Sequence, residues 1–133
     1  MALQYSSDYP PLVIGPSIPE FFETFYQISD TPDAHERYAD AFTEDALLIM
    51  AKILALRHSM WAAVKSRSHN PIKVFPFGAN SKELMLYGTV EYVFKDESKE
   101  KATKDWAGRA KLRKDGDHGW KLEEYQVYLD TAS

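Results

Sequence analysis

The chain has 133 residues, enough for one hydrophobic core and too few for two, and its 44% hydrophobic content argues against extensive disorder. A net charge of -4, from 16 basic and 20 acidic residues, disfavours nucleic acid as a partner because phosphate binding needs a concentrated basic surface. The absence of cysteine excludes disulfides, zinc-thiolate sites and a cysteine nucleophile. No apolar run approaches the ~20 residues of a membrane span and the N-terminus lacks signal-peptide features, so we expect a cytoplasmic protein with no membrane partner.

The first 50 residues predict an irregular arm, two helices and a short strand. Three prolines within residues 1–17 predict an arm that is either draped over the domain or disordered. A first helix is predicted after Ser17, and a second begins at Thr31, where a hydroxyl N-cap is followed by proline and an acid. The wholly apolar run 46–50 predicts a buried strand. The first helix presents an apolar stripe formed by Ile18, Phe21, Phe22, Phe25 and Ile28.

A third helix is predicted over about residues 53–67, and one charged residue, Arg57, falls inside its apolar stripe. A guanidinium cannot be deprotonated, so Arg57 must reach water, meet a carboxylate or face a polar cavity. A paired or snorkelling arginine and a ligand-facing arginine both stay open. Residues 72–77 then predict a short strand whose interior Pro76 indicates an edge or a bulge.

The last third of the chain predicts an antiparallel meander of three long strands, over residues 84–94, 103–114 and 120–129. One face of such a meander must be buried, and the upstream helices are the candidates to cover it. We therefore expect a curved sheet around the helices with a pocket between them. Gly88 and Gly108 lie inside the strands and are typical of bulges or bends. The concave face is predicted to carry Trp106, Gly108, Ala110 and Leu112.

The order helix, helix, short strand, helix, meander, with Phe42-Thr43-Glu44-Asp45-Ala46 before the short strand, resembles the NTF2-like superfamily. SnoaL-like, ketosteroid isomerase-like and scytalone dehydratase-like proteins of that superfamily commonly carry Phe-x-x-Asp-Ala at this junction. The resemblance covers about residues 18–130, and residues 56–61 and 125–130 look like small fungal members. It implies an α+β cone: three N-terminal helices packed in a strongly curved, mostly antiparallel sheet, often in a homodimer. The domains would then be an arm, 1–17, and a single NTF2-like domain, 18–133.

The resemblance also proposes roles for individual residues. Tyr26 matches the oxyanion-hole tyrosine of ketosteroid isomerase, but Met50 and Ala110 occupy the positions of its base and its second acid, so that chemistry is not expected. His69 resembles the histidine that follows the third helix in scytalone dehydratase-like proteins, and a neutral imidazole there could accept a proton. The alternative is that His69 caps the helix end or satisfies a local carbonyl. The second histidine of those dehydratases has no counterpart in residues 84–112.

The remaining polar and aromatic residues set the expectations for ligands. No two histidines and a carboxylate share the spacing of a metal motif, so we expect no metal and no other cofactor, and we expect His35, His58 and His118 to be solvated. Aromatic residues could line an apolar pocket or fill a solid core. The candidate ligand-binding residues are Tyr38, Trp61, Phe75, Phe77, Tyr92, Trp106 and Tyr125.

Two functions from different classes follow. The first is a small-molecule pocket protein of NTF2-like/SnoaL-like type, acting as a cofactor-free isomerase, dehydratase or cyclase on a hydrophobic or polyketide-like substrate. His69 would be its base, and Tyr26 and Arg57 would polarise an oxygen. The alternative is a non-catalytic module whose sheet binds a second copy or another protein. Its candidate surface consists of Tyr87, Thr89, Glu91 and Val93.

Overall fold

The computed structural model describes residues 5–10, 17–114, 116 and 119–129, without the side chains of 47–53, 56 and 129. Four antiparallel strands form one sheet in the order β1-β2-β3-β4, and the helices precede it in the chain. This confirms the predicted α+β class and the meander. The elements are α1 (Ile18–Ser29), α2 (His35–Asp40), a 3-10 turn (Glu44–Ala46), α3 (Leu47–Ala63), β1 (Val64–Pro76), β2 (Glu83–Phe94), β3 (Ala102–Lys114) and β4 (Trp120–Leu129).

The helix α1 begins where the sequence predicts it and supplies much of the core. Its buried face carries Ile18, Phe22 and Phe25, each at most 2% exposed. Burying a side chain of this kind contributes about 1.5–3 kcal/mol. The predicted start of the second helix is wrong, because α2 begins at His35. The Thr31 hydroxyl donates backwards to the carbonyl of Gln27 (2.9 Å) instead of capping α2.

The region between α2 and the sheet differs most from the prediction. The predicted strand over 46–50 is wrong, since the chain forms a 3-10 turn and then enters α3 at Leu47. A short apolar run fits a buried helix as well as a strand, and here it continues the apolar sequence of the third helix. That helix also ends at Ala63, four residues before its predicted end, because β1 begins at Val64 and pairs with β2 from there. His69 therefore lies inside a strand.

The inner face of the sheet packs against α1. The predicted concave positions on β3 are confirmed: Trp106, Gly108, Ala110 and Leu112 are all buried. Alternation along the strands turns the intervening charged residues outward, where Arg109 pairs with Glu83 (2.9 Å). Leu84, Leu86, Val90 and Leu122 complete the inner face from β2 and β4.

The strand β1 lies at one edge of the sheet, as the interior proline Pro76 predicted. Residues 5–10 run along this edge, where Asp8 N donates to Ile72 O and Val74 N donates to Asp8 O, both at 2.9 Å. This part of the arm is therefore draped over the domain. Across the described part of the chain, none of the helices has the length and apolar character needed to span a membrane.

A bulge in β1 lies opposite Gly88, one of the two glycines predicted to mark a bulge or bend. Gly88 pairs with Pro71, and the register shifts between Pro71 and Lys73. A Cβ atom on Gly88 would lie 2.2 Å from the Asn70 carbonyl oxygen and 2.8 Å from Pro71 Cα. The crowding atoms belong to the backbone, so a side chain at this position forces the two strands apart. Gly108 shows no such crowding, since its Cβ would meet its nearest atom at 3.5 Å.

We therefore predict that Gly88→Ala lowers the free energy of unfolding by about 1–3 kcal/mol or more, through overpacking between β1 and β2. Urea denaturation monitored by circular dichroism measures this change. Gly78→Ala is the matched control, because its Cβ would meet nothing within 4 Å. Equal denaturation midpoints for the two variants would show that β1 does not approach Gly88 this closely.

Candidate active site

The C-terminal end of α1 meets β1 at a buried carboxylate, Asp30, whose side chain is 4% exposed. Its Oδ1 atom lies 2.6 Å from His69 Nδ1. Its Oδ2 atom accepts hydrogen bonds from the backbone N–H of His69 (2.6 Å) and from the Tyr5 hydroxyl (3.0 Å). One carboxylate thus joins the end of α1, the middle of β1 and the N-terminal arm.

A carboxylate at the C-terminus of a helix is unfavourable on its own, because the last carbonyls carry partial negative charge. Two arginines compensate for it. Arg67 Nε lies 3.4 Å from Asp30 Oδ1, and Arg67 Nη2 donates to both the hydroxyl (2.9 Å) and the carbonyl of Ser29. Arg57 Nη1 donates to the same carbonyl at 2.8 Å, and Nη2 donates to Thr31 O at 2.7 Å. The guanidinium groups therefore bind the terminal carbonyls of α1 and balance the charge of Asp30.

Arg57 is a paired arginine and does not reach solvent, since it is 3% exposed. Besides the two carbonyls, its Nε donates to His35 Nδ1 (2.9 Å), and its guanidinium lies 4.6 Å from the ring centre of Tyr38. Burial, and to a lesser degree Arg67, lowers the pKa of Arg57. His35 was predicted to be solvated; it is instead half-buried, bonded to Arg57 and in ring contact with His58 at 4.0 Å.

Two of the three predicted catalytic residues lie side by side. The rings of Tyr26 and His69 are 5.2 Å apart, and Trp106 lies 5.4 Å from His69. The hydroxyls of Tyr26 and Tyr125 are 2.9 Å apart and share a hydrogen bond. Burial raises the pKa of Tyr26 and of Tyr125, so both phenols stay protonated and can act as donors.

The ring of His69 is neutral near pH 7. Burial lowers its pKa, the hydrogen bond to Asp30 raises it, and the positive charges of Arg67 and Arg57 lower it again. The net shift is downward chiefly because burial disfavours the charged ring, and the two arginine charges add to that effect. The ionised Asp30 accepts the Nδ1 proton, which leaves the lone pair of the neutral ring on Nε2. This is the arrangement of a general base oriented by a carboxylate.

Asp30 and Arg67 were not among the residues predicted from the sequence. Asp30 follows the last helical residue of α1, and an acid at that end of a helix is itself a signal that a cation must lie nearby. Arg67 was placed in the tail of the third helix, whereas it lies on β1, two residues before His69 on the same edge strand. Because the boundary between α3 and β1 was predicted too late in the chain, Arg67 was assigned to the helix and its place beside His69 was missed.

The other predicted ligand-binding aromatics fall into three groups. Tyr38 and Trp61 are buried around Arg57, and Tyr92 is half-buried on β2, where it pairs with Arg67. Phe75 and Phe77 are 45% and 59% exposed, so they lie at the surface, and their role as ligand-binding residues stays a prediction. The one-residue shift at the bulge in β1 occurs just before Phe75, whose ring stacks on exposed Tyr87.

Away from the Asp30–His69 pair, the described residues form a groove of about 280 Å³ between α1 and α2. It is lined by Phe21, Thr24, Phe25, Ile28, Arg37, Asp40 and Ala41, and includes neither Asp30 nor His69. Within the described ranges no three histidine, aspartate or glutamate side chains are grouped so as to hold a metal ion.

Comparison with known proteins identifies the fold. No protein-family model matches the chain, and no curated protein matches its sequence. A candidate aromatic ring hydroxylase from Novosphingobium aromaticivorans superposes with a TM-score of 0.67 and 20% identity, over 86% of this chain and 90% of that one. An NTF2-like protein of unknown function from Exiguobacterium sp. 255-15 superposes with a TM-score of 0.57 and 13% identity, over 84% and 99%. The chain has the NTF2-like fold.

A third NTF2-fold neighbour is ActVI-ORFA from Streptomyces coelicolor, with a TM-score of 0.66 and 20% identity over 86% of this chain and 92% of that one. The predicted NTF2-like resemblance and α+β cone are thus confirmed. At these identities the similarity establishes the fold, and the chemistry must be argued from the residues of this chain.

We predict that Arg57→Lys lowers the free energy of unfolding by about 2–4 kcal/mol, because lysine keeps the charge but cannot serve both carbonyls and His35 from one plane. Thermal and urea denaturation measure the change. Arg37→Lys, at an exposed position of α2, is the matched control and should change stability by less than about 0.5 kcal/mol. An Arg57→Lys protein as stable as this control would mean that the guanidinium does not hold the end of α1.

Proposed function

We propose that this protein is a small-molecule pocket protein that catalyses a cofactor-free proton transfer on a hydrophobic, polyketide-like substrate. The observation that carries the proposal is the buried Asp30–His69 pair with the Tyr26 ring against it. A neutral imidazole held by a carboxylate is a base suited to pH 7. The aromatic surroundings suit an apolar ring system, and the similarity in fold to a candidate aromatic ring hydroxylase supports the same class of substrate.

The chemistry would proceed through an enolate. His69 Nε2 takes a proton from the carbon next to a carbonyl group, the electron pair of that C–H bond forms a carbon–carbon double bond, and the carbonyl π pair moves to oxygen. When a carbon–carbon double bond is conjugated with the enolate, returning the proton to the far end of that double bond shifts it, re-forms the carbonyl and completes an isomerisation. Returning it to a hydroxyl group on the neighbouring carbon, which then leaves as water, completes a dehydration. We assign the Tyr26–Tyr125 pair as one phenol donor to the substrate, through the hydroxyl proton that the hydrogen bond between the two phenols does not use.

Arg57 receives a different role from the one first predicted for it. Its Nε, Nη1 and Nη2 atoms all donate to groups of the protein, so we propose a positioning residue that holds the end of α1, and with it Asp30, against β1. The absence of a cofactor and a cytoplasmic location remain predictions from the sequence.

The test is deuterium incorporation from D2O into a panel of aromatic ketones and 1,3-diketones, followed by proton NMR. We expect the wild-type protein to accelerate exchange at the carbon next to the carbonyl in at least one of them. His69→Gln should lower that rate by about 100-fold or more, since general-base catalysis contributes roughly that factor. His58→Gln, an exposed histidine on α3, is the matched control and should exchange at the wild-type rate. Equal rates in wild type and His69→Gln would contradict the assignment of the base.

A second candidate is a non-catalytic module that binds a second copy of itself or another protein through the outer face of the sheet. Several large apolar side chains are exposed on the strands and the following turn: Ile72, Phe75, Phe77, Tyr87, Val127 and Tyr128. Of the residues predicted for this surface, Tyr87 and Glu91 are exposed, and Thr89 and Val93 are half-buried. The exchange experiment separates the two candidates, because a wild-type protein that accelerates none of the compounds favours this one.

A further inference from the structure

Two buried N–H groups beside the Asp30–His69 pair have no hydrogen-bond acceptor in the part of the chain that the structure describes. They are Trp61 Nε1 and Arg67 Nε, and Arg67 Nε has an ion-pair contact with Asp30 Oδ1 at 3.4 Å that is not a hydrogen bond. Trp61 is 7% exposed and the Arg67 side chain 8%. The Arg67 guanidinium lies 5.0 Å from the Trp61 ring centre, so both donors belong to one cluster. Buried donors without acceptors carry a desolvation penalty, and native proteins keep few of them.

The same cluster carries an excess of positive charge. The guanidinium groups of Arg57 and Arg67 lie over the Trp61 ring, at 5.9 and 5.0 Å from its centre. Among the described residues, Asp30 is the only carboxylate that forms an ion pair with either of them. Because His69 is neutral, two buried cations face one anion, and the carbonyl end of α1 offsets only part of the difference. Buried charge of this kind favours an anionic partner.

We propose that Trp61 Nε1 and Arg67 Nε form a donor pair for an anionic oxygen of the ligand, an enolate or a phenolate. This inference rests on the proposed function and names the substrate class, a molecule with an enolisable ketone or an acidic phenol. Arg67 Nε contacts Asp30 Oδ1 at 3.4 Å, and the same oxygen lies 2.6 Å from His69 Nδ1, so the donor pair adjoins the carboxylate that orients the proposed base. Neither donor gives up its proton at neutral pH, so the pair stabilises the anion and leaves it anionic.

The experiment compares two probes of similar shape, 4-nitrophenolate and nitrobenzene, which differ in the charged oxygen. Binding to 15N-labelled wild-type protein is followed through the indole N–H signals of the three tryptophans, with Trp61 assigned from the spectrum of Trp61→Phe. We expect 4-nitrophenolate to move the Trp61 indole proton downfield and to bind about tenfold tighter than nitrobenzene, the effect of one hydrogen bond to a charged group. Nitrobenzene should leave that signal in place.

The variant Trp61→Phe keeps an aromatic ring next to the two arginines and removes the indole donor. It should lower the preference for 4-nitrophenolate by about tenfold, the loss of one hydrogen bond to a charged group, whereas the matched control Trp120→Phe, at the start of β4, should keep the wild-type preference. If Trp61→Phe does not fold, as judged from its melting curve, the shift of the Trp61 indole signal in the wild-type protein tests the inference by itself. That signal is then assigned by elimination, from the spectra of Trp106→Phe and Trp120→Phe.

Two kinds of outcome would overturn the inference, and they are distinguishable. If 4-nitrophenolate moves the signals of His69 and Tyr125 but not the Trp61 indole, the donor pair is wrong while the proposed pocket stands. The donor pair is also wrong if Trp61→Phe retains the full wild-type preference for the anion. If millimolar probe moves none of the three signals, the donor pair and the pocket at His69 both fail.

Discussion

The site depends on how the C-terminus of α1 is neutralised inside the protein. The last carbonyls of that helix and the carboxylate of Asp30 concentrate negative charge at a buried point, and Arg57 and Arg67 bring two guanidinium groups to it. Removing either the carboxylate of Asp30 or the guanidinium groups would destabilise the folded protein, because an unpaired buried charge costs far more free energy than a paired one. This one interaction fixes where α1 ends, how α3 lies against it and which part of β1 it contacts.

The candidate active site follows from that neutralisation. Burial, helped by the charges of Arg67 and Arg57, lowers the pKa of His69 and favours its neutral form. Since Asp30 accepts from Nδ1, the lone pair of that form lies on Nε2. The buried phenol pair of Tyr26 and Tyr125 supplies donors that hold their protons. A protein that must bury a base, its orienting acid and two cations in a small core accepts a cost in stability, and such groups are typical of functional sites.

Much of the fold could be predicted from local patterns in the sequence. The helix α1 and the strands β2, β3 and β4 were predicted within one or two residues, because strong periodicity and turn residues mark their ends. The apolar run 46–50 and the boundary at Val64 could not be assigned correctly. A run of five apolar residues has no period that separates helix from strand, and the strand at Val64 is fixed by pairing with Phe94, thirty residues away.

The candidate site could be predicted only in part, for the same reason. His69 and Tyr26 were found through a resemblance that supplies their positions in the fold. Asp30 and Arg67 were missed because their pairing is a tertiary contact between a helix end and an edge strand, and no local pattern encodes it. Arg57 was recognised as anomalous inside an apolar stripe. Two of its three hydrogen-bond partners are backbone carbonyls, which any sequence would supply, and the third is His35.

The most direct measurement is the 15N spectrum of the His69 ring, recorded near pH 7 through long-range proton–nitrogen correlations and assigned with His69→Gln. We predict a neutral imidazole protonated on Nδ1, with the shift of an unprotonated nitrogen on Nε2, and we expect acid to titrate this ring below the ordinary histidine pKa of about 6.5. A proton on Nε2, or an imidazolium at pH 7, would contradict the claim that Asp30 and Arg67 together hold His69 as a base.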